Sequence, residues 1–178
     1  DSEDRGGGGI LAWNAEELGL IGSCHYVGEP IYPLEDTVAM LSVDMVGAGD
    51  GSGMTFFGAD YEPFVWLMDL AIAASADAGL DFDIEPGATA YNSDHGCFAW
   101  AGVTAMLALT LGPHPYYHTP EDTIDSILID DLETAARILW ATLQPLSTAS
   151  EDQFVSGSVP GRVASPGSAG LDPRDRNR

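Results

Sequence analysis

Residues suited to acid–base or metal chemistry follow three apolar segments of this 178-residue sequence. Glu16 and Glu17 come after the first segment, Asp44 after the second, and His118 lies in a loop after the third. Carboxylate oxygens and imidazole nitrogens are suitable zinc ligands. Adjacent acids at a strand-to-helix turn point in different directions, so one can bind a metal while its neighbour faces an activated water. This division of roles is what metal-assisted hydrolysis requires.

Ordinary structural roles explain the same residues taken singly. Paired acids at the start of a helix are usually favoured by the helix dipole. A lone Asp after a strand commonly forms a turn, and a lone His in a loop usually has no further role. With four such residues after three segments, the functional and the structural interpretation are evenly balanced on spacing alone.

The elements that must position these residues are predicted from hydrophobic periodicity. We predict strands over residues 10–14, 37–46 and 103–111, with a further candidate over 81–85. Residues 37–46 are apolar on both faces, which is typical of a central strand covered by helices on both sides. The segment 47–58 contains five glycines and is predicted to be a loop.

Helices are predicted between these strands. Helical spacing covers residues 16–27 and 130–146, and a short helix is predicted to end near Trp100. Pro63 suits the first position of a helix that runs to about Ala78, and Asp130 with Glu133 resembles a capping box. Strands that alternate with helices predict an α/β domain with its ligand site at the strand ends.

Composition separates a central domain from its two flanks. Residues 1–9 are predicted to be a disordered Gly-rich start, residues 10–148 one domain, and residues 149–178 a disordered tail or linker. The net charge is −22, and the chain contains no lysine. Such a charge repels phosphate and argues against nucleic-acid partners. No apolar run is long enough to span a bilayer, so we predict no membrane insertion.

The acidic, lysine-free surface suits a protein that stays soluble at high salt, where self-repulsion is screened. Cys24 and Cys97 form neither a zinc-finger spacing nor a CxxC pair. We interpret them as small buried apolar side chains, while a disulfide between them stays open as an alternative.

Four strings in this order carry a resemblance: WNAEELGLIGS, LSVDMVG, NSDHGCF and YYHTPEDT. Together they resemble the signature segments of the co-catalytic zinc aminopeptidases, over about residues 10–146. The resemblance implies a three-layer αβα fold with a mixed, mostly parallel sheet. It also implies two zinc ions in each intact active site and peptide substrates with a free N-terminus.

The resemblance assigns roles residue by residue. Glu16 would be the general base, taking a proton from the water between the metals and passing it to the leaving amine. Glu17 and His118 would be ligands of one zinc ion, and Asp44 a ligand of the other. The catalytic roles are completed by Tyr117, which matches a tyrosine that hydrogen-bonds the developing oxyanion in some members.

Two further residues receive weaker assignments. Asp94 is a candidate for orienting groups near the base, although an Asx turn explains it about equally well. Met45 is a candidate for lining the pocket of the first substrate side chain, although core packing is the better explanation. His95 and His114 receive no role and are expected to be packing or surface histidines.

Two ligands of the family pattern have no counterpart here. The family supplies a His in a His-x-Asp segment and a bridging Asp upstream, and residues 1–15 contain neither. We therefore expect a fold that is incomplete at its N-terminal side, and weak zinc binding with little or no turnover by this polypeptide alone. The alternatives are a glutaminyl-cyclase-like enzyme and a non-catalytic peptidase-like binding module. The resemblance also implies an extracellular or periplasmic location.

Overall fold

The structure, a computed structural model, describes residues 7–58 and 64–148 of the chain. Pro63, most of the predicted Gly-rich start and the whole predicted tail lie outside the described residues. Eight elements follow one another: α1 (Ile21–Gly28), β1 (Ala39–Val43), β2 (Gly53–Phe57), α2 (Val65–Asp77), β3 (Asp83–Gly87), α3 (His95–Trp100), β4 (Thr104–Thr110) and α4 (Ile129–Thr148). Two short 3₁₀ turns, Leu34–Asp36 and Ile124–Ser126, complete the regular structure of this part of the chain.

The four strands form one mixed sheet in the order β1-β4-β2-β3. β1 runs parallel to β4, and β2 runs parallel to β3. β2 and β4 are antiparallel. Two of the three pairings are parallel, so the predicted mixed and mostly parallel sheet is confirmed.

Helices cover both faces of this sheet. On one face α2 and α4 enclose the larger core, which includes Phe56 from β2 and Met106 from β4. On the other face α1 and α3 enclose a smaller core around Phe98 and Ala105. Because side chains of a strand alternate between faces, neighbouring residues of β4 serve the two cores in turn. The predicted three-layer α/β arrangement is confirmed.

Two predicted strands differ from the structure. Residues 10–14 form no strand: Ile10 is fully exposed, and the segment does not pair with any strand of the described sheet. An apolar run becomes a strand only where a neighbour satisfies its backbone groups. The segment from Thr37 contains β1, but β1 lies at an edge of the described sheet and leaves Val43 half exposed. The prediction of a central strand is therefore wrong for this part of the chain.

One predicted helix start and one predicted capping box are also wrong. α1 begins at Ile21 instead of Glu16, because Gly19 and Leu20 have left-handed backbone conformations that interrupt a helix. No acid lies in its first turn. The capping box predicted for Asp130 and Glu133 is instead formed by Thr123 and Ser126, in the 3₁₀ turn that precedes α4.

The Gly-rich segment 47–58 contains strand β2, which the sequence analysis missed. Its apolar residues pair with both β3 and β4. A Cβ atom on Gly53 would collide with the backbone of Asp83 on the neighbouring strand. The glycine is therefore required by close approach of two backbones rather than by a loop.

Gly53→Ala is expected to destabilise the fold by about 1–3 kcal/mol, because the backbone of Asp83 must move to admit the methyl group. Urea unfolding followed by circular dichroism measures the effect. Gly28→Ala is the matched control, since a Cβ atom there meets nothing within 4 Å. Equal stability of the two variants would contradict the steric explanation.

The two cysteines form a disulfide between α1 and α3, with their Cα atoms 5.1 Å apart. The interpretation as two free buried thiols is therefore wrong, and the alternative that the sequence left open is correct. Separately, none of the described helices is both long and apolar enough to cross a membrane.

Candidate active site

Glu17 and His118 meet at the surface of the protein. The Nε2 atom of His118 lies 3.1 Å from the Oε1 atom of Glu17, and the side chains are 55% and 71% exposed respectively. Two donors of one tetrahedral zinc ion lie roughly 3.3 Å apart when each bond is about 2.0–2.1 Å. The spacing and the chemistry of this pair therefore fit two ligands of a single zinc ion.

The pair does not extend to a third donor. Within residues 7–58 and 64–148, no group of three His, Cys, Asp or Glu side chains is arranged to hold a metal ion. Asp44 is half-buried, and one of its oxygens lies 3.3 Å from the Ser93 hydroxyl, which donates to it. The assignment of Glu17 and His118 to one ion and of Asp44 to another stays a prediction.

Glu16 belongs to an acidic cluster, because the charges of Glu17, Asp44 and Asp94 all act on its carboxyl group. The pKa of Glu16 is raised, chiefly because partial burial penalises the charged carboxylate, and then by the negative charges of these three neighbours. A hydrogen bond with Ser93 opposes the rise. A carboxyl with a raised pKa accepts and returns protons more readily near neutral pH, which suits a general base.

Ser93 is a site residue that the sequence analysis did not single out. It is buried, and its hydroxyl group interacts with both Asp44 and Glu16. A hydroxyl has one proton and two lone pairs, so Ser93 can donate to one carboxylate and accept from the other when that one is protonated. Its place in the string NSDHGCF, directly before Asp94, was the only signal in the sequence.

Asp94 and His95 are both buried, with different consequences. One carboxylate oxygen of Asp94 has no hydrogen-bond partner among the described residues, while its charge raises the pKa of Glu16. The Nε2 atom of His95 lies 2.5 Å from the carbonyl oxygen of Ala90, and burial lowers the pKa of this imidazole. Asp94 therefore belongs to the acidic cluster, and His95 is a packing residue, as predicted.

Several residues at or next to the candidate site have strained backbone conformations. The non-glycine residues with positive φ include Ala15 (61°), Met45 (53°) and His118 (56°). Ala15 precedes Glu16, and Met45 follows Asp44. Such conformations cost energy and persist where the surrounding structure enforces them, often at functional sites.

The loop after Asp44 is held by Thr110, at the end of β4. Its buried hydroxyl group contacts the carbonyl oxygens of Met45, at 3.0 Å, and of Ala48. Met45 is half-buried and its backbone is fixed by this contact. Thr110 was not identified from the sequence, because its role depends on a neighbour 65 residues away.

Tyr117 stacks on the ring of His118, with ring centroids 3.9 Å apart and an angle of 21° between the planes. Its side chain is half exposed. The stacking restricts how the imidazole can turn. His114, which was expected to have no role here, makes a separate contact of 3.0 Å with the carbonyl oxygen of Thr110.

Comparison with known proteins identifies the family. Residues 9–143 match Peptidase family M28, and this chain belongs to that family. The matched range agrees with the resemblance over about residues 10–146.

Individual relatives agree with this assignment. The chain is 29% identical over 143 residues to aminopeptidase YwaD of Bacillus subtilis, covering 75% of this chain and 30% of that protein. An aminopeptidase structure from Aneurinibacillus sp. strain AM-1 is 31% identical with a TM-score of 0.66, over 78% of this chain and 32% of that one. BSAP, a zinc aminopeptidase from Bacillus subtilis, is 28% identical with a TM-score of 0.67, over 79% of this chain and 36% of that one.

A glutaminyl cyclase from an Acidobacteriales bacterium is also similar, at 25% identity and a TM-score of 0.58, over 80% of this chain and 50% of that one. Its similarity is lower than that of the two aminopeptidase structures by both measures. The chain spans about a third of the length of the aminopeptidases that it matches.

The raised pKa of Glu16 predicts a pH-dependent stability effect. The folded protein holds this proton more tightly than the unfolded chain, so the ionised carboxyl opposes folding above the raised pKa. Glu16→Gln is therefore expected to raise the Tm of metal-free protein at pH 7. The gain should shrink as the pH falls through the raised pKa and vanish below the ordinary value of 4.5, where the carboxyl is protonated in both states.

Differential scanning calorimetry with a chelator present, between pH 3.5 and 8, measures this effect. Glu29→Gln, which removes an exposed carboxyl outside the acidic cluster, is the control and should show little change. A Glu16→Gln variant that is less stable than the parent protein at pH 7 would contradict the electrostatic explanation.

Proposed function

We propose that this chain is part of a zinc-dependent aminopeptidase that hydrolyses the N-terminal peptide bond of peptides. The observation that carries the proposal is the pairing of Glu17 with His118 beside Glu16, in a member of Peptidase family M28. The similarity to a zinc aminopeptidase from Bacillus subtilis supports the same reaction.

The residues of the site would have different roles in this reaction. Glu17 and His118 would hold one zinc ion and Asp44 a second, and these ions would supply Lewis acidity toward the scissile carbonyl and the attacking water. Glu16, which is not needed as a ligand, would take a proton from that water and deliver it to the leaving amine. The half-exposed Tyr117 would donate a hydrogen bond to the developing oxyanion.

Electrostatics supports a substrate with a free amino terminus. Glu16, Asp44 and Asp94 place several negative charges together, and the whole chain carries a net charge of −22. A protonated amino terminus would be attracted to this cluster, whereas a peptide carboxylate would be repelled. The charge of Asp94 would help to keep the pKa of Glu16 raised. Met45 would contact the first substrate side chain.

The described residues supply too few zinc ligands for an active centre. Catalytic zinc ordinarily has three protein ligands, and the site offers two for one ion and one for the other. We therefore expect this polypeptide by itself to bind zinc weakly and to turn over little substrate. Activity is expected from a protein that provides the remaining ligands.

Mass spectrometry of a peptide that begins with Gln tests the proposal, using the full-length gene product with and without zinc. Loss of the first residue in the presence of zinc, abolished by a chelator, is the expected result. Loss of ammonia with the peptide bond intact would identify a glutaminyl cyclase instead. An unchanged peptide under both conditions would favour a non-catalytic binding module.

A high-salt environment and an extracellular or periplasmic location are further proposals. The acidic, lysine-free composition supports the first, and the Cys24–Cys97 disulfide supports the second, because disulfides persist in oxidising compartments. The protein should unfold at a higher temperature in molar NaCl than at low salt, and calorimetry in both buffers measures this. A Tm independent of NaCl would contradict the high-salt proposal. Detection of the protein only in the cytoplasmic fraction of source cells would contradict the extracellular or periplasmic location.

A further inference from the structure

The disulfide joins the two segments that carry the acidic cluster. Cys24 lies in α1, eight residues after Glu16. Cys97 lies in α3, four residues after Ser93. The two half-cystines are 73 residues apart in sequence, so this bond links parts of the chain that no local turn could hold together.

The segment that carries Glu16 and Glu17 is tied closely to α1. The backbone amide of Leu20 donates to the carbonyl oxygen of Glu16 at 2.8 Å, and the amide of Gly19 donates to the same oxygen at 2.9 Å. The amide of Cys24 in turn donates to the carbonyl oxygen of Leu20 at 2.9 Å. Any displacement of α1 is therefore transmitted to Glu16 and Glu17.

The α3 side of the bond is tied to the same cluster. The amide of Gly96 donates to the carbonyl oxygen of Ser93 at 2.8 Å, which fixes Ser93 to the first turn of α3. The Ser93 hydroxyl group donates to Asp44. The sulfur of Cys97 also lies 4.0 Å from the carbonyl oxygen of Leu20, where the two segments meet.

Packing alone holds α1 only weakly. Ser23 is its single fully buried residue, and Ile21 is half exposed. Its other packing contacts come from the partly buried Val27 and from Tyr26, whose ring centroid lies 5.2 Å from that of Trp13 and 5.8 Å from that of Phe98. A short helix with so little buried surface is the kind of element that opens locally without a crosslink.

We propose that the Cys24–Cys97 disulfide is a positioning element of the active site, which fixes the Glu16–Glu17 segment against the Ser93–Asp94 segment. Its effect on catalysis rests on the proposed aminopeptidase function. Its effect on the local structure does not, because that effect follows from the contacts between the two segments. Without the bond, α1 would move away from α3 and carry Glu16 out of register with Asp44 and Ser93.

The test compares a variant that lacks the disulfide with a variant that retains it and is destabilised elsewhere in the fold. Cys24→Ala combined with Cys97→Val removes the disulfide and keeps apolar volume in its place. Phe56→Ala is the control, because this residue belongs to the core on the opposite face of the sheet. Both are made in the full-length gene product and compared at the same fraction unfolded.

Hydrogen–deuterium exchange in chelator is the first readout. Amides of residues 15–20 and 93–96 are expected to exchange roughly tenfold faster in the disulfide variant than in the Phe56→Ala control. Residues 104–110, which form the centre of the sheet, should exchange alike in both. Equal exchange of residues 15–20 in the two variants would overturn the proposal.

Peptide hydrolysis with zinc present is the second readout. The disulfide variant is expected to lose about 10²-fold in kcat with little change in KM, since misplaced groups cost the chemical step more than substrate binding. The Phe56→Ala control should keep its kcat. Faster local exchange with unchanged kcat would overturn the positioning role. If the two variants differ in local exchange but the parent protein hydrolyses no peptide, the proposed function is refuted instead.

If the Ala/Val variant does not fold, the parent protein is compared before and after treatment with a phosphine reductant. The disulfide then takes up two electrons and two protons to give two thiols, and the phosphine is oxidised to its oxide with oxygen from water. Faster exchange at residues 15–20 and 93–96 supports the proposal. Unchanged exchange there after complete reduction overturns it.

Discussion

Glu16→Gln is expected to lower the kcat of peptide hydrolysis by about 10²–10⁴-fold, as the loss of a general base does. The amide has nearly the shape of the carboxyl but cannot accept a proton from the attacking water. Zinc content should be unchanged, because Glu16 does not belong to the Glu17–His118 pair that we propose as ligands. The measurements are steady-state hydrolysis of an aminoacyl anilide and zinc analysis of the purified full-length gene product.

Glu29→Gln is the matched control for the loss of one negative charge. Glu29 is exposed at the C-terminal end of α1, and its substitution should leave kcat unchanged. A Glu16→Gln variant that hydrolyses the substrate at the parent rate would exclude Glu16 as the base. A variant that has also lost zinc would instead show that Glu16 is a ligand.

Phe56→Ala is expected to destabilise the fold by about 3–5 kcal/mol, the largest stability effect that we predict for one residue. Phe56 is fully buried on β2, where it lies opposite the small Ala108 of β4 in the larger core. Removing the ring leaves a cavity that the surrounding helices can fill only in part. Urea unfolding followed by circular dichroism gives the change in free energy.

Phe57→Ala separates burial from strand propensity. Phe57 is the next residue of the same strand, points to the opposite face and is only half-buried. Phe57→Ala should therefore lower the free energy of unfolding clearly less than Phe56→Ala does. Equal losses would show that the aromatic residues stabilise the strand itself and that the core contributes little.

Elements with strong periodicity were predictable from the sequence. α4 and β4 were predicted close to their observed ranges, because a 3.6-residue stripe and a continuous apolar run indicate their elements directly. β2 was missed since Gly53 indicates a loop by composition, whereas its actual role depends on the backbone of Asp83. Residues 10–14 were predicted as a strand because apolar character does not reveal whether a pairing partner is present.

The sequence by itself determined the family and the set of candidate residues, since four ordered strings identify chemical types and their order along the chain. The tertiary structure decided which of these residues meet. It placed Glu17 beside His118, 101 positions away in sequence, and left both without a third donor in the described chain.

Only the tertiary structure decided the roles of Ser93, Thr110 and the Cys24–Cys97 pair. Each depends on a contact between segments distant in sequence, such as the 49 residues between Asp44 and Ser93. Local sequence determines residue type and backbone preference. Contact between remote segments is set by how helices and strands pack, which no local pattern encodes.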